Sequence, residues 1–139
     1  MRGDLSTMIT ADFVRQIFAH LEAGAGDKFF DHVADDVDWT VEGTHPLAGH
    51  YTSKQDFIAH TFARLNRILP GGTQLHVQGI LIDGDRAAVE LRSLATAKNG
   101  MRFDNRYCWV LRFDGRKIVE VRAYLDSALV QKLIDANEG

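Results

Sequence analysis

The chain has 139 residues, 45% of them hydrophobic, and a net charge of −3 from 16 basic and 19 acidic side chains. This size and apolar content fit one globular domain with its own core. A weakly acidic chain without a basic run lacks the phosphate-neutralising patch of a nucleic-acid-binding surface, and no apolar run is long enough to cross a bilayer. We therefore expect neither a nucleic-acid partner nor a membrane partner.

The compartment and the domain limits follow from two further features. Cys108 is the only cysteine, so an intrachain disulfide is impossible and a reducing compartment is the default. The first residues lack the apolar core of a signal peptide. We predict a cytoplasmic protein with a frayed leader at 1–9 and a single domain at 10–139.

Helices dominate the first half of the chain. Thr10 can cap a first helix, which is predicted to end at Gly24 and Gly26. Asp27 occupies the N-cap position of a short second helix. Ser53 can cap a third helix that a Pro-Gly-Gly segment ends after about Leu69. The buried stripe predicted for this third helix comprises Phe57, Ile58, Phe62 and Leu65.

One strand and one loop separate the second helix from the third. Residues 37–42 alternate between apolar and polar, which predicts a strand with Trp39 and Val41 on one face. The loop that follows contains a proline flanked by His45 and His50. These histidines could shuttle protons at a pocket mouth, or they could be solvated loop residues.

The second half is nearly all strand. Asp-Gly, Asn-Gly and Asp-Gly dipeptides mark its turns, and a short helix at 127–136 follows. The predicted strands are 74–82, 86–97, 101–113 and 117–125. Helices followed by a meander predict an α+β cone, with three N-terminal helices packed on a strongly curved antiparallel sheet and a short C-terminal helix.

The Asn99-Gly100 turn predicts a pocket wall. Asn-Gly favours a two-residue type I′ loop, because that turn needs positive φ at both central residues. Such a loop opposes Glu90 to Trp109 and Arg92 to Tyr107, and directly opposed residues share a sheet face. The predicted wall is Glu90, Arg92, Asn105, Tyr107 and Trp109. The predicted opposite face carries Val89, Leu91, Cys108 and Val110.

The register of the last hairpin, at Asp114-Gly115, stays open. A two-residue turn and a three-residue loop place opposite sets of side chains on the pocket face, since a slip of one residue exchanges the faces. The sets are Glu120, Arg122 and Tyr124 for the turn, and Val119, Val121, Ala123 and Leu125 for the loop. We favour the second set because apolar side chains suit burial better.

Four motifs fall in a characteristic order: Ala34-Asp35-Asp36-Val37-Asp38-Trp39, Pro46-Leu47-Ala48-Gly49-His50-Tyr51, Asn105-Arg106-Tyr107-Cys108-Trp109-Val110, and Asp114-Gly115-Arg116-Lys117-Ile118 leading to Tyr124-Leu125-Asp126. The arrangement resembles the nuclear transport factor 2-like cone fold, in its SnoaL-like, ketosteroid isomerase-related branch. The resemblance implies a pocket for a small apolar molecule. Relatives include steroid isomerases, epoxide hydrolases and polyketide cyclases.

Few catalytic residues of these relatives carry over. The aspartate base of the steroid isomerases falls on Val41 and their protonated aspartate falls on Trp109, so the resemblance does not imply a ketosteroid isomerase. The last-strand aspartate of the cyclases and hydrolases falls on Ala123. The Arg-x-Asp pair of the hydrolases falls on Glu90 and Arg92, in reversed order.

Two functions from different classes follow. One is a cofactor-independent isomerase, cyclase or epoxide hydrolase with Glu90 as general base and Arg92 stabilising charge. The other is a non-catalytic module that binds the same kind of molecule. The predicted substrate-binding residues are Trp39, Val41, Asn105, Tyr107, Trp109 and Ala123. No cofactor is expected, and no metal, because the six histidines lack ligand spacing.

The opposite sheet face predicts an assembly. Its apolar strip is too contiguous for a monomer surface, and the resembling families commonly bury this face against a second subunit. We therefore expect a homodimer through the outer sheet face. The residues expected at its rim are Arg106, Arg112, Glu120 and Arg122.

Overall fold

A computed structural model describes residues 9–138 of the chain. The elements are α1 (Ala11–Glu22), α2 (Gly26–Phe30), β1 (Val33–Val41), β2 (Gly49–Tyr51), α3 (Lys54–His60), α4 (Phe62–Ile68), β3 (Leu75–Asp83), β4 (Arg86–Ser93), β5 (Arg106–Asp114), β6 (Lys117–Leu125) and α5 (Ser127–Glu138). The leader predicted at 1–9 lies outside the described residues, except for Ile9, which is buried.

The strands form one curved sheet in the order β2-β1-β6-β5-β4-β3. Neighbouring strands are antiparallel except β1 and β6, which run parallel. Register shifts interrupt the β1–β6, β3–β4 and β5–β6 pairings, and such bulges strengthen the local twist. The predicted α+β fold is confirmed. The sheet differs from the prediction in its one parallel pair, in β2, which lies in the predicted loop, and in β4 and β5, whose facing ends are shorter than the predicted strands 86–97 and 101–113.

The predicted helix caps agree with the structure better than the predicted helix lengths do. The hydroxyls of Thr10 and Ser53 accept hydrogen bonds from backbone N–H groups three residues on, as predicted. Asp27 lies inside the first turn of α2, so its predicted role as N-cap is wrong. The predicted third helix is divided at Thr61, whose hydroxyl donates to the Phe57 carbonyl at 2.7 Å; such a bond bends helices.

The core has two parts. The larger part joins the inner face of the sheet to α1, α2 and α3, with Phe18, Phe29 and Trp39 fully buried. The smaller part joins α4, α5 and the segment between β4 and β5, around Phe103 and Leu133. The inner face of the sheet therefore lies under helices, and the outer face does not.

The hairpin between β4 and β5 closes with a three-residue loop. The Ala97 N–H donates to the Met101 carbonyl at 2.7 Å, and the Gly100 N–H donates to the Ala97 carbonyl at 2.8 Å. Gly100 has a φ of +88°, whereas no described non-glycine residue has positive φ. A type I′ turn would need positive φ at Asn99 as well, so the loop is a type I turn followed by a left-handed glycine.

This extra loop residue shifts the pairing of β4 and β5 by one. Leu91 lies opposite Tyr107, and Glu90 lies opposite Cys108. The predicted pairing of Glu90 with Trp109 is therefore wrong, and the two faces of β4 are exchanged. The residues that change face are Val89 and Leu91, which are inner, and Glu90 and Arg92, which are outer.

The last hairpin has the inner-face set that we favoured from Val121 onward, but its loop has two residues and not three, and Ile118 lies on the inner face in place of Val119. Asp114 pairs with Lys117 across a two-residue loop, and an extra residue at Val119 then shifts the register by one. Loop and bulge together act as a three-residue loop would, so Trp109 pairs with Ala123. The residues of β6 on the inner face beyond the bulge are Val121, Ala123 and Leu125, and those on the outer face are Glu120, Arg122 and Tyr124.

Candidate ligand cavity

A narrow cavity lies between the inner face of the sheet and the α3–α4 pair. Its volume is about 50 Å³, and its surface is almost entirely carbon. The strands contribute Trp39, Val41, Tyr107, Trp109 and Ala123. The helices contribute Phe57, Thr61, Phe62 and Leu65, and Leu47 and Leu125 complete the lining.

Aromatic rings form one rigid corner of this cavity. The ring of Trp39 stacks on Phe57 with centroids 3.9 Å apart and an angle of 21° between the planes. Trp109 meets Trp39 edge-on, with centroids 5.2 Å apart and planes at 81°. Both are favourable aromatic geometries, so packing fixes the orientation of these rings.

The polar groups of the wall are few and uncharged. Burial raises the pKa of the Tyr107 phenol, so this group stays protonated at neutral pH. The hydroxyl of Thr61 is already bonded to the Phe57 carbonyl. The indole N–H of Trp39 is buried and has no acceptor among residues 9–138. The described lining contains no carboxylate, imidazole or amine, and it therefore offers no base for proton transfer at neutral pH.

Five of the predicted substrate-binding residues lie in this wall. They are Trp39, Val41, Tyr107, Trp109 and Ala123. Their role in binding stays a prediction, since the geometry gives only their position.

Asn105 does not line the cavity, although it lies on the predicted face. Its Oδ1 accepts hydrogen bonds from the backbone N–H groups of Arg106, at 2.7 Å, and Asp126, at 3.1 Å. Its Nδ2 donates to the Asp126 carbonyl at 3.4 Å. The amide thus ties the start of β5 to the residue after β6, and the prediction that Asn105 lines the pocket is wrong.

Glu90 and Arg92 lie on the outer face, in a depression of about 180 Å³ that is separate from the cavity but also contacts Tyr107. The Glu90 carboxylate lies over Gly79, where an added β-carbon would be 2.9 Å from Oε1. Arg92 is directly opposite Arg106, and neither is within 4.0 Å of a described carboxylate. The prediction that Glu90 and Arg92 line the pocket is wrong, and the argument for their catalytic roles rested on it.

Ion pairs cover other parts of the outer face. Glu120 bonds Arg112 at 3.0 Å and Arg122 at 2.9 Å, and His50 lies 2.8 Å from Asp38. The outer face is less apolar than predicted, because Val89 and Leu91 are buried on the inner side. Its apolar side chains are Leu81, Ala88, Cys108, Val110 and Tyr124.

His45 and His50 differ in their surroundings. His45 is buried; its Nδ1 accepts from the Leu47 N–H at 3.2 Å, and its Nε2 contacts the Glu42 carbonyl at 3.1 Å. Burial lowers the pKa of the His45 imidazole, so it is neutral at pH 7 and its Nε2 is the donor. It holds the loop that brings Leu47 to the cavity, whereas His50 is exposed.

The helical half of the wall was missed as part of a site. Helical spacing marked Phe57, Phe62 and Leu65 as buried, but it could not separate a cavity wall from ordinary core. No group of described His, Cys, Asp and Glu residues could hold a metal ion, and no described helix is long and apolar enough to span a membrane.

The model of the SnoaL-like domain family matches residues 14–121. The chain belongs to this family. A curated relative, the dimerizing cyclase phiC of Fungal sp. (strain ATCC 74256), is 28% identical over 134 residues, which are 94% of this chain and 59% of that protein. The chain thus spans 59% of the length of the curated relative that it matches.

Solved structures share the fold. An NTF2-like protein from Burkholderia thailandensis E264 has a TM-score of 0.76 and 24% identity, over 96% of this chain and 98% of that one. TerC, co-crystallised with polyporic acid, has a TM-score of 0.70 and 18% sequence identity, over 89% of this chain and 96% of that one. AclR, a putative hydroxylase from Streptomyces galilaeus, has a TM-score of 0.71 and 20% sequence identity, over 88% of this chain and 82% of that one. The predicted membership of the SnoaL-like family is confirmed, and the fold is that of the NTF2-like protein.

Proposed function

We propose that this domain binds a small apolar molecule in the cavity between the sheet and the α3–α4 pair. The observation that carries the proposal is the wall itself, which combines an almost entirely carbon surface with the rigid corner of Trp39, Phe57 and Trp109. Small-molecule sites are concave and largely apolar, with a few polar groups that fix orientation.

Binding without proton transfer is the better-supported form of this function. A general base must lie within hydrogen-bond reach of the proton that it abstracts. Glu90 is on the other side of the sheet, and Ala123 stands where the cyclases and hydrolases of this branch have an aspartate. Tyr107, with its raised pKa, can serve as a neutral hydrogen-bonding group but not as a base.

Xenon is a suitable probe, because single xenon atoms enter small dry apolar cavities and the only two tryptophans of the chain both line this one. We expect xenon to change tryptophan emission saturably. Ala123→Val narrows the cavity and should weaken this binding roughly ten-fold. The matched control Ala88→Val adds the same atoms to the outer face and should change it less than about two-fold. Equal effects of the two variants, or no saturable response, would contradict the proposal.

A cyclase is the second candidate, favoured by the 28% identity to a dimerizing cyclase. Since the described wall lacks a base, acceleration would come from holding a substrate in a reactive conformation and excluding water. For any substrate identified by mass spectrometry of co-purified material, Ala123→Val should slow turnover. Glu90→Gln should leave turnover within about two-fold of the rate of the unsubstituted protein. Loss of turnover in Glu90→Gln would instead support Glu90 as the base.

The homodimer also remains a proposal. Its support is the outer face, where Leu81 is 75% exposed and Tyr124 is 44% exposed, beside Val110. We expect light scattering at micromolar concentration to give twice the mass of the chain, and Leu81→Glu to reduce it toward one chain. A monomeric mass for the unsubstituted protein would refute the dimer. The cytoplasmic location stays a prediction from the single cysteine.

A further inference from the structure

Two pairs of arginines lie directly opposite each other on β4 and β5, on the outer face of the sheet. Arg86 pairs with Arg112, and Arg92 pairs with Arg106. Like charges in opposed positions are unfavourable. In the first pair, Glu120 neutralises Arg112 at a distance of 3.0 Å. In the second pair, neither arginine has a described carboxylate within 4.0 Å, so residues 9–138 supply no counter-charge to it.

Arg92 is the more enclosed member of the second pair. Its side chain is partly buried, and its Nε has almost no accessible surface and no hydrogen-bond partner among the described residues. Its neighbour on β3 is His76, which can add positive charge but no negative charge. Because a buried cation is unfavourable unless it is paired, an anion at this position would stabilise the protein.

Arg92 and Arg106 both line the depression of about 180 Å³ on the outer face. A water molecule takes up about 30 Å³ in the liquid, so the depression has room for a small anion together with water. Glu90 is the only acid of its described lining. The Glu90 carboxylate lies over Gly79 and within 4.0 Å of neither arginine. Two arginines and one glutamate leave the lining with a net charge of +1.

We propose that this depression binds the carboxylate group of a small molecule between Arg92 and Arg106. Guanidinium groups bind carboxylates through two parallel hydrogen bonds. One carboxylate carries the single negative charge that neutralises the lining, whereas a phosphate monoester carries about −1.5 to −2 charges at pH 7 and would be repelled more strongly by Glu90. The site is separate from the apolar cavity, and the proposal does not depend on what that cavity binds.

The depression lies away from the apolar centre of the proposed homodimer. Leu81 is opposite Ala88, and Arg92 is four residues further along β4, a distance of about 13 Å in a strand. The carboxylate site and the dimer contact are therefore centred on different parts of the outer face.

Acetate and acetamide test the proposal, since they have the same shape and differ in charge. Each is titrated at neutral pH and at an ionic strength that sodium chloride keeps constant, while a ¹H–¹⁵N spectrum follows the backbone amides of Arg92 and Arg106. We expect acetate to shift both amides saturably and acetamide to shift neither at the same concentrations. The absence of a saturable acetate shift, or equal shifts with acetamide, would overturn the proposal.

Matched variants separate a site from general attraction to a charged surface. Arg92→Gln should weaken acetate binding roughly ten-fold, because it removes hydrogen bonds to a charged group. Arg86→Gln makes the same change on the same face of β4 and should leave binding within about two-fold. Glu90→Gln removes the repelling charge and should strengthen binding roughly three-fold.

Two further results would contradict the proposal. Equal weakening in Arg92→Gln and Arg86→Gln would show that acetate responds only to the overall charge of the face. If acetate lowers the mass of the protein in light scattering, the carboxylate that these arginines bind belongs to a second copy of the chain, and the proposed small-molecule site is wrong. We expect the mass to stay unchanged across the acetate titration.

Discussion

The two faces of one sheet differ more than any other two regions of this molecule. On the inner face, Leu91 and Trp109 are buried in the core, and Trp109 lines a cavity whose described lining carries no charge. On the outer face, Glu90 lies opposite Cys108, and the charged side chains of Arg92 and Glu120 lie opposite those of Arg106 and Arg112. The comparison teaches that the residues resembling a catalytic pair and those forming the cavity lie on opposite faces of one sheet.

The largest expected effect comes from substituting two neighbours on β4. Leu91→Ala should lower the free energy of unfolding by about 2–5 kcal/mol, because it leaves a cavity in the core. Glu90→Ala, on the outer face, should change it by less than about 0.5 kcal/mol. Urea unfolding measures both, and the reverse order would mean that the faces of β4 are assigned wrongly.

The same two residues show what sequence reasoning can and cannot supply. Periodicity and caps predicted the fold, because they report local preference and burial together. The two-residue loop predicted at Asn99-Gly100 was wrong, because this dipeptide also fits a three-residue loop in which only the glycine has positive φ,. The alternation of Val89 and Leu91 with charged residues favoured the observed register, and the burial of a whole strand face prevails over the preference of one turn.

Sequence reasoning succeeded better on β6 and less well on the helices. On β6, burial chose correctly between two sets of inner-face residues, since Val121 and Ala123 are apolar and Glu120 and Arg122 beside them are charged. The cavity could not be located on the third predicted helix, because Phe57 has the same spacing whether it packs in a core or lines a space. The two helices are divided at Thr61, whose side chain bonds the Phe57 carbonyl, and sequence periodicity does not predict this hydrogen bond. Residues of both helices line the cavity.

Asn105 is a buried polar residue on the inner face, and a substitution there sharpens the comparison. Asn105→Ala removes three hydrogen bonds to backbone groups and should lower the free energy of unfolding by about 1–3 kcal/mol. Arg106→Ala, on the outer face, should have an effect below about 0.5 kcal/mol. An Asn105→Ala protein of unchanged stability that fails to bind xenon would show that the amide contacts ligand instead.

His45 predicts how stability changes with pH. Because burial lowers its pKa from the ordinary value of 6.5, the unfolded chain binds a proton more readily than the folded one. The stabilisation is fully present above pH 6.5 and decreases as the pH falls below it, by at most about 1.4 kcal/mol per pH unit. The free energy of unfolding should decrease less between pH 7.5 and pH 5.5 in His45→Asn than in the unsubstituted protein. The slope that remains includes His32, whose pKa is also lowered by burial.

The smallest expected effect is on the outer face. Glu120→Gln removes the ion pairs with Arg112 and Arg122, and partly exposed pairs contribute about 0–1 kcal/mol. The loss should shrink in 1 M salt, where the screening length is about 3 Å. A loss above about 2 kcal/mol that salt does not change would indicate that these charges are part of a buried network.

The central claim is that Glu90 lies on the outer face, across from Cys108 and away from the cavity. Because Cys108 is the only cysteine, one introduced thiol can report the pairing by forming a disulfide within the chain, which needs neighbouring β-carbons on the same face. We predict that Glu90→Cys oxidises to an intrachain disulfide, seen as the loss of both free thiols at monomer mass, and that Leu91→Cys does not. A disulfide in Leu91→Cys and none in Glu90→Cys would contradict the account and return Glu90 to the cavity wall.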